Sequence, residues 1–294
     1  MGIDFPKMLT IFAIPKPFRG HSELIQRNAI TSWTRISPRP EVLLFGDEEG
    51  TAAFAREIGV RHEPEVGRNE FGTPRVDDLF ARAEHLASTP VLAYVNADII
   101  LRDDFPAAIA RVQAALPEFF MVGQRWDVHV TAPLDFSADD WQSTLADQAF
   151  RANDQKPPDC IDYFVFPHGY AEGLPPMAIG RSAWDNYLVW RARSRGYAVV
   201  DASRVVTIVH QVHDYSHHPG GARAVWTGPE AQKNRELTGG WWHRYTIEDS
   251  SYVLTPNSMR RSYRHPWVMA QRVWSHPLSV FQFPWQFLRR ALGA

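Results

Sequence analysis

The residues best suited to chemistry in this chain of 294 residues begin with the triplet Asn96-Ala97-Asp98. The triplet follows the uncharged run 90–95, and a carboxylate there needs a partner because burying an isolated charge is costly. A divalent cation is a natural partner, since hard cations combine carboxylate oxygens with substrate phosphates. Asn96 offers a second oxygen on the same side of an extended chain. Alternatively, Asp98 caps a helix or closes a turn.

A second group of candidate ligands lies in the segment 210–218, directly after the apolar stretch 205–209. Its histidines are His210, His213, His217 and His218. Imidazoles and one carboxylate also suit an open zinc site, so a zinc hydrolase is an alternative, although the chain has no His-Glu-x-x-His helix. Side-chain alternation predicts that His210 and His213 point to opposite faces, so they need not both bind.

Basic residues that could bind phosphate follow the first apolar run of the chain. Lys16 and Arg19 share the segment after that run, and a guanidinium can donate two parallel hydrogen bonds to phosphate oxygens. Arg27 and Arg125 are further candidates, although most arginines are simply surface residues. Arg19 is favoured because Lys16 lies in the same loop.

The predicted elements place these residues at one edge of a sheet. Short apolar runs alternate with amphipathic stretches, which predicts an α/β domain with a mostly parallel sheet. The predicted strands are 7–14, 41–45, 60–62, 90–95, 119–123, 161–166, 198–201 and 205–209. The predicted helices are 21–36, 51–58, 76–87, 103–116, 136–151 and 181–195. Ligands of open α/β sheets lie outside the carboxyl ends of the strands, where the triplet falls.

The segment 94–101, Tyr-Val-Asn-Ala-Asp-Ile-Ile-Leu, resembles the strand and metal-binding DXD turn of GT-A glycosyltransferases of the family 2 type. The resemblance covers about residues 7–215 and departs from the commonest pattern at Asn96, where an Asp is usual. It implies a Rossmann-like GT-A fold, with a mostly parallel central sheet flanked by helices and an irregular C-terminal extension. It also implies Mn²⁺ or Mg²⁺, held by Asp98, on the diphosphate of a nucleotide sugar.

For the nucleotide sugar, the resemblance implies contacts from the loop after the first strand, Ala13 to Phe18, and from Asp47 after the second. In Gly-Asp-Glu-Glu-Gly, Asp47 is equally well explained as a turn or helix N-terminal residue. The predicted contacts to the nucleotide sugar are Ile14, Pro15, Lys16, Arg19, Asp47, Asn96, Ala97 and Trp184.

For the reaction centre, the resemblance implies two further residues. Asp185, at the start of the predicted helix 181–195, would act as a base on the acceptor hydroxyl or bind donor hydroxyls. The helix dipole alone also favours a carboxylate at that position. His213 would complete the metal shell begun by Asp98. Trp184 could stack on a sugar face or pack in the core.

Composition and missing motifs exclude several classes of protein. Lys and Arg number 31 and Asp and Glu 33, which gives no electrostatic reason to expect a nucleic-acid partner. The single cysteine, Cys160, excludes an intramolecular disulfide. There is no Gly-x-Ser-x-Gly elbow, and Ile14-Pro15-Lys16-Pro17 stands where a dinucleotide-binding glycine motif would lie.

The predicted organisation is a catalytic domain over 1–218, with a nucleotide-sugar half to about 125 and an acceptor half over 126–218. Residues 219–294 form a C-terminal extension that packs on this domain. The stretch 266–290 alternates apolar and basic residues and could instead lie on a membrane or on a second subunit. Without a signal sequence or a long apolar run, a cytoplasmic location, with peripheral membrane contact as an option, is expected.

The sequence therefore predicts a metal-dependent enzyme that moves a hexosyl group from a nucleoside diphosphate sugar to a carbohydrate or other hydroxyl acceptor. One alternative is a sugar nucleotidyltransferase, although the glycine-rich, basic phosphate loop of those enzymes is missing after the first strand. Another is a non-catalytic carbohydrate-binding protein that uses some of the 11 tryptophans to stack on sugars.

Overall fold

The computed structural model describes residues 8–213 and 221–275. The strands in these ranges are β1 (Leu9–Ala13), β2 (Glu41–Phe45), β3 (Arg61–Glu63), β4 (Val91–Val95), β5 (Ile99–Ile100), β6 (Phe119–Val122), β7 (Arg125–Val128), β8 (Tyr163–Pro167), β9 (Ala198–Asp201), β10 (Ile208–Gln211), β11 (Tyr252–Leu254) and β12 (Met259–Arg261). The α-helices are α1 (Gly20–Arg35), α2 (Thr51–Ile58), α3 (Val76–Leu86), α4 (Asp104–Ala115), α5 (Trp141–Ala152), α6 (Trp184–Ser194), α7 (Gly221–Thr227), α8 (Pro229–Leu237) and α9 (His265–Ser275).

The main sheet has the order β12-β11-β9-β6-β8-β4-β1-β2-β3. Neighbouring strands run parallel except where β8 lies antiparallel between β4 and β6, and where β12 pairs with β11. β1 and β4 are buried along their whole length, as expected of central parallel strands covered on both faces. The predicted fold class, a mostly parallel sheet flanked by helices, is confirmed.

A second, small sheet has the order β5-β10-β7 and joins two distant parts of the chain. His210 on β10 pairs with Ile99 on β5 and with Asp127 on β7. The sequence analysis missed β5 and β7, because runs of two and four residues have no detectable period and β7 carries two charges. β5 and β7 are strands because their backbones pair with β10 in the folded protein.

Several predicted boundaries shift by up to five residues, for example α6, which begins at Trp184 instead of Arg181, and two of the shifts have a clear local cause. The strand predicted from Val205 begins at Ile208, because the amides of Val205 and Val206 both donate to the Ala202 carbonyl in a turn. The helix predicted from residue 136 begins at Trp141. There the amide and hydroxyl of Ser137 bond to the Asp135 carboxylate, a local turn that competes with helix formation.

The described part of the C-terminal segment continues the main sheet, since β11 pairs in parallel with β9. α9 is attached through Arg272, which is buried and bonds to both carboxylate oxygens of Asp249. The predicted division at residue 218 stays a prediction, because 214–220 lie outside the described residues. In the described ranges, no helix is long and apolar enough to cross a membrane.

Replacing Arg272 with Met should lower the free energy of unfolding by about 3 kcal/mol, because the fully buried Asp249 would lose its guanidinium partner. Among the described residues, Asp249 would keep only His265 and the Thr246 amide. Urea denaturation of the whole chain measures this change. Arg56→Met, at an exposed position of α2, is the control and should change stability by less than about 0.5 kcal/mol. Equal effects of the two substitutions would show that the ion pair does not attach α9.

Candidate active site

Asp98, His210 and His213 converge beyond the carboxyl end of β4, with one possible ligand atom from each within 4.8 Å of the others. His213 Nε2 lies 3.1 Å from Asp98 Oδ2, and the two imidazole centres are 5.3 Å apart. Asp98 and His210 are almost fully buried. The small sheet causes this convergence, because β5 directly follows the Asp98 turn and pairs with β10.

The expectation that His210 and His213 face opposite ways is wrong. β10 ends at Gln211, so His213 lies beyond the regular strand and the alternation rule no longer applies to it. The Gln211 side chain also bonds to the Asp98 carbonyl at 3.1 Å, which holds the two segments together. The predicted His217 and His218 lie outside the described residues.

The ionisation and hydrogen bonding of the Asp98 carboxyl suit a cation. Burial raises the pKa of its carboxyl, but the hydrogen bond with His213 and the electrostatic interactions with His210 and Lys16 outweigh burial and hold this pKa well below its usual range. Asp98 Oδ1 is buried and has no hydrogen-bond partner within the described part of the chain. An ionised carboxylate with an unsatisfied oxygen beside two imidazoles fits a divalent ion.

Asp127 orients the His210 ring. The ring Nδ1 lies 3.0 Å from Asp127 Oδ1, so Nε2 is the ring nitrogen that could bind a metal ion. Histidines that bind metals commonly donate their other N–H to a carboxylate in this way. Arg125 and Lys156 flank Asp127 at 3.0 and 3.4 Å. The sequence analysis did not select Asp127, whose only signal was its register with His210 in a pairing that was not predicted.

Both polar atoms of the Asn96 side chain already have partners within the protein. Its Nδ2 donates to Asp162 Oδ1 at 2.7 Å, and its Oδ1 accepts from the Tyr94 hydroxyl at 2.9 Å. Asp162 in turn binds Arg125, so this arginine, a phosphate candidate in the sequence, is held between two carboxylates. Ala97 is buried in the core. Asn96 therefore connects the triplet to the charged network behind it.

Asp185 lies in the first turn of α6, and its pKa is raised to about 6. Burial is the main cause, and the negative charge of Asp162 adds to it. The Asn186 amide, which donates to Asp185 Oδ1 at 2.8 Å, and Arg244 act in the opposite direction. A carboxylate with this pKa can accept and release a proton near neutral pH.

Trp184 connects α6 to the end of β4. Its ring packs edge-on against Tyr94, with centroids 5.3 Å apart, and against Phe164. It is only 5% exposed, which places the ring in the core. Sugar stacking by Trp184 stays a prediction. Because the Tyr94 hydroxyl binds Asn96, this packing brings the start of α6 next to the triplet.

The loop after β1 reaches the cluster through Lys16. Gln26 holds the Lys16 backbone by two hydrogen bonds, and Lys16 Nζ lies 3.9 Å from Asp98 Oδ2. Pro15 is buried and Ile14 partly buried, so they support this loop.

Two other predicted nucleotide-sugar contacts are engaged elsewhere. Arg19 pairs with Glu49, and its side chain is largely exposed to solvent. Asp47 pairs with Arg68 at 2.7 Å. The structure thus brings Lys16 to the cluster, and leaves Arg19 and Asp47 in ion pairs near the ends of β1 and β2.

No family model and no curated protein matches the chain. Solved structures do match. GalNAc-T7, crystallised with UDP, GalNAc and Mn²⁺, is 13% identical, with a TM-score of 0.50 over 80% of this chain and 49% of that one. TarS 1-349 of S. aureus with UDP-GlcNAc is 11% identical, with a TM-score of 0.48 over 71% of this chain and 60% of that one.

A third match is glucosyl-3-phosphoglycerate synthase of Mycobacterium tuberculosis with Mn²⁺, UDP and phosphoglyceric acid, 13% identical, with a TM-score of 0.47 over 80% of each chain. The chain thus spans 60% of the TarS fragment and about half of GalNAc-T7. The match to GalNAc-T7, together with the strand order and the position of Asp98 beyond β4, identifies the fold. The chain has the GT-A fold of nucleotide-sugar glycosyltransferases.

Proposed function

We propose that this protein transfers a glycosyl group, a hexosyl unit, from a nucleoside diphosphate sugar to a hydroxyl acceptor. The observation that carries the proposal is the convergence of Asp98, His210 and His213 beside Lys16 at the carboxyl edge of the sheet. Ligands of open α/β sheets bind at this edge. GalNAc-T7, which shares the fold, was crystallised with UDP, GalNAc and Mn²⁺, in keeping with such a donor.

Asp98 and the two imidazoles would hold a divalent cation. Nitrogen ligands favour a transition ion such as Mn²⁺ over Mg²⁺, which prefers an all-oxygen shell. When bound, the cation stabilises the charge that develops on the departing diphosphate. Lys16, 3.9 Å from Asp98, can donate hydrogen bonds to the same diphosphate oxygens.

Asp185 is the proposed base. At neutral pH a carboxylate with a pKa of about 6 is mostly ionised, and it is a stronger base than an exposed aspartate. It can therefore take the proton of the acceptor hydroxyl as that oxygen attacks the anomeric carbon. A single displacement of this kind inverts the anomeric configuration.

A zinc hydrolase would use the same two histidines and Asp98. The GT-A fold and the position of Lys16 favour glycosyl transfer, because a hydrolase has no need for a cation-assisted diphosphate site. A sugar-binding protein without a metal would have no use for the buried, unsatisfied oxygen of Asp98. Dependence of nucleotide binding on the metal separates these functions.

In a thermal-shift experiment, a nucleoside diphosphate with Mn²⁺ should raise Tm by about 5 °C when the ligand is present at roughly 100 times its Kd. Asp98→Ala should lose the part of this increase that requires Mn²⁺, together with hydrolysis of the sugar donor. Asp147→Ala, at an exposed position of α5 that pairs with Arg151, is the control. If no nucleoside diphosphate gives a shift that depends on the metal, the proposed function is wrong.

Asp185→Asn should reduce kcat by about 10² to 10⁴-fold and leave the donor KM nearly unchanged. In the wild type, kcat/KM should fall about tenfold per pH unit below pH 6, as Asp185 becomes protonated.

The stability of the Asp185→Asn variant gives an independent check of the Asp185 pKa. Because the folded-state pKa is raised, ionising Asp185 opposes folding as pH rises through 6. The Asn variant should therefore be more stable than wild type at pH 7.5, and this advantage should shrink at pH 4.5.

Asp127→Ala should weaken Mn²⁺ binding by about 10 to 100-fold, because His210 loses the carboxylate that orients its ring. Isothermal titration calorimetry on the protein without nucleotide measures this change. The substitution leaves Arg125 on Asp162 and Lys156 on Asp154, so neither cation loses its last partner. Asp154→Ala is the matched control, since Asp154 also binds Lys156. Unchanged affinity in Asp127→Ala would remove Asp127 from the metal site.

A further inference from the structure

The outward face of α9 is aromatic. Trp267 and Trp274 lie one heptad apart on the same side of the helix and are 76% and 88% exposed. Tyr263, just before the helix, is 78% exposed. These three exposed rings define the surface named here the α9 face, and large exposed apolar groups are unfavourable in water.

The inward side of α9 includes a buried charge. Val268, Met269 and Arg272 face inward, and Arg272 is buried against Asp249. A helix at a protein–water boundary normally turns its charged residues outward and its large apolar residues inward. α9 buries its arginine and exposes its indoles, which indicates that its outward side meets something other than water.

The segment that carries the α9 face is basic in sequence. Residues 250–294 contain six arginines and no Asp or Glu, whereas residues 1–249 hold the other 25 basic residues and all 33 acidic ones. Arg260 and Arg261 on the edge strand β12 are exposed. Among the described arginines of this segment, Arg264 pairs with Glu248 and Arg272 with Asp249, whereas Arg260 and Arg261 are not in an ion pair with a described residue.

We propose that the α9 face docks on the surface of an anionic lipid bilayer. Indole and phenol rings favour the headgroup level of a membrane, and arginines nearby are attracted to anionic lipids. α9 has 11 residues and is about 16 Å long, which suits a helix lying in the plane of the interface. This inference goes beyond glycosyl transfer and does not depend on it.

Charge decides between a bilayer and a second copy of this chain. Two α9 faces packed against each other would pair the same basic segment of both copies, and residues 250–294 of neither copy contain an acidic residue to pair with its arginines. Anionic headgroups complement the same arginines. The lipid surface is therefore the partner that satisfies both the indoles and the charge.

Vesicle flotation of the whole chain tests the proposal, with vesicles of phosphatidylcholine alone and of phosphatidylcholine mixed with phosphatidylglycerol. The wild type should float with the anionic vesicles at low salt and less so at high salt. Replacing both Trp267 and Trp274 with Ser should lower the partition coefficient by about tenfold or more. Replacing Arg260 and Arg261 with Gln should lower it by roughly thirtyfold on anionic vesicles only. Phe71→Ser, at another exposed aromatic residue, should have no effect.

Three outcomes would overturn the proposal. The wild type could fail to float with anionic vesicles, or the double Trp variant could float as well as the wild type. The third outcome is a concentration-dependent dimer in sedimentation analysis that the Trp substitutions abolish, without any vesicle binding. That result would assign the α9 face to a second copy of the chain.

Discussion

The candidate site depends on the pairing of β10 between β5 and β7. This three-stranded sheet is small, but it joins the turn after β4 to a segment more than a hundred residues later. Without it, the histidines would have no reason to lie near Asp98. The Gln211 side chain strengthens the same junction through the Asp98 carbonyl. A few backbone hydrogen bonds therefore decide whether the proposed metal ligands come together.

Around that junction, buried polar and charged side chains are paired one after another. His210 is held by Asp127, Asp127 by Arg125, and Arg125 by Asp162, which returns to the triplet at Asn96. Each carboxylate in this chain of contacts has a cationic or polar partner, as burial requires. Asp98 differs from them, because one of its oxygens has no hydrogen-bond partner among the described residues. The network thus orients the proposed ligands and leaves one Asp98 oxygen for the proposed cation.

Much of the fold was predictable from sequence, because the main strands are runs of buried apolar residues and the helices have an apolar face. β2 and α2 lie where the sequence predicts them, and β4 differs by one residue. Asp98 was predictable for the same reason, as a carboxylate directly after a buried strand. Asp127 was not, since β7 has no apolar pattern and its register with His210 exists only in the folded sheet.

The sequence by itself determined the α/β class, the position of Asp98 and the candidate role of His213, because these follow from local polarity and from a resemblance over contiguous residues. Only the tertiary structure decided that His210 joins His213, that Asn96 turns to Asp162, and that Arg19 and Asp47 form ion pairs. It also decided that α9 turns its indoles outward. The physical reason is that side-chain direction and charge pairing depend on residues far apart in the chain, which local patterns do not encode.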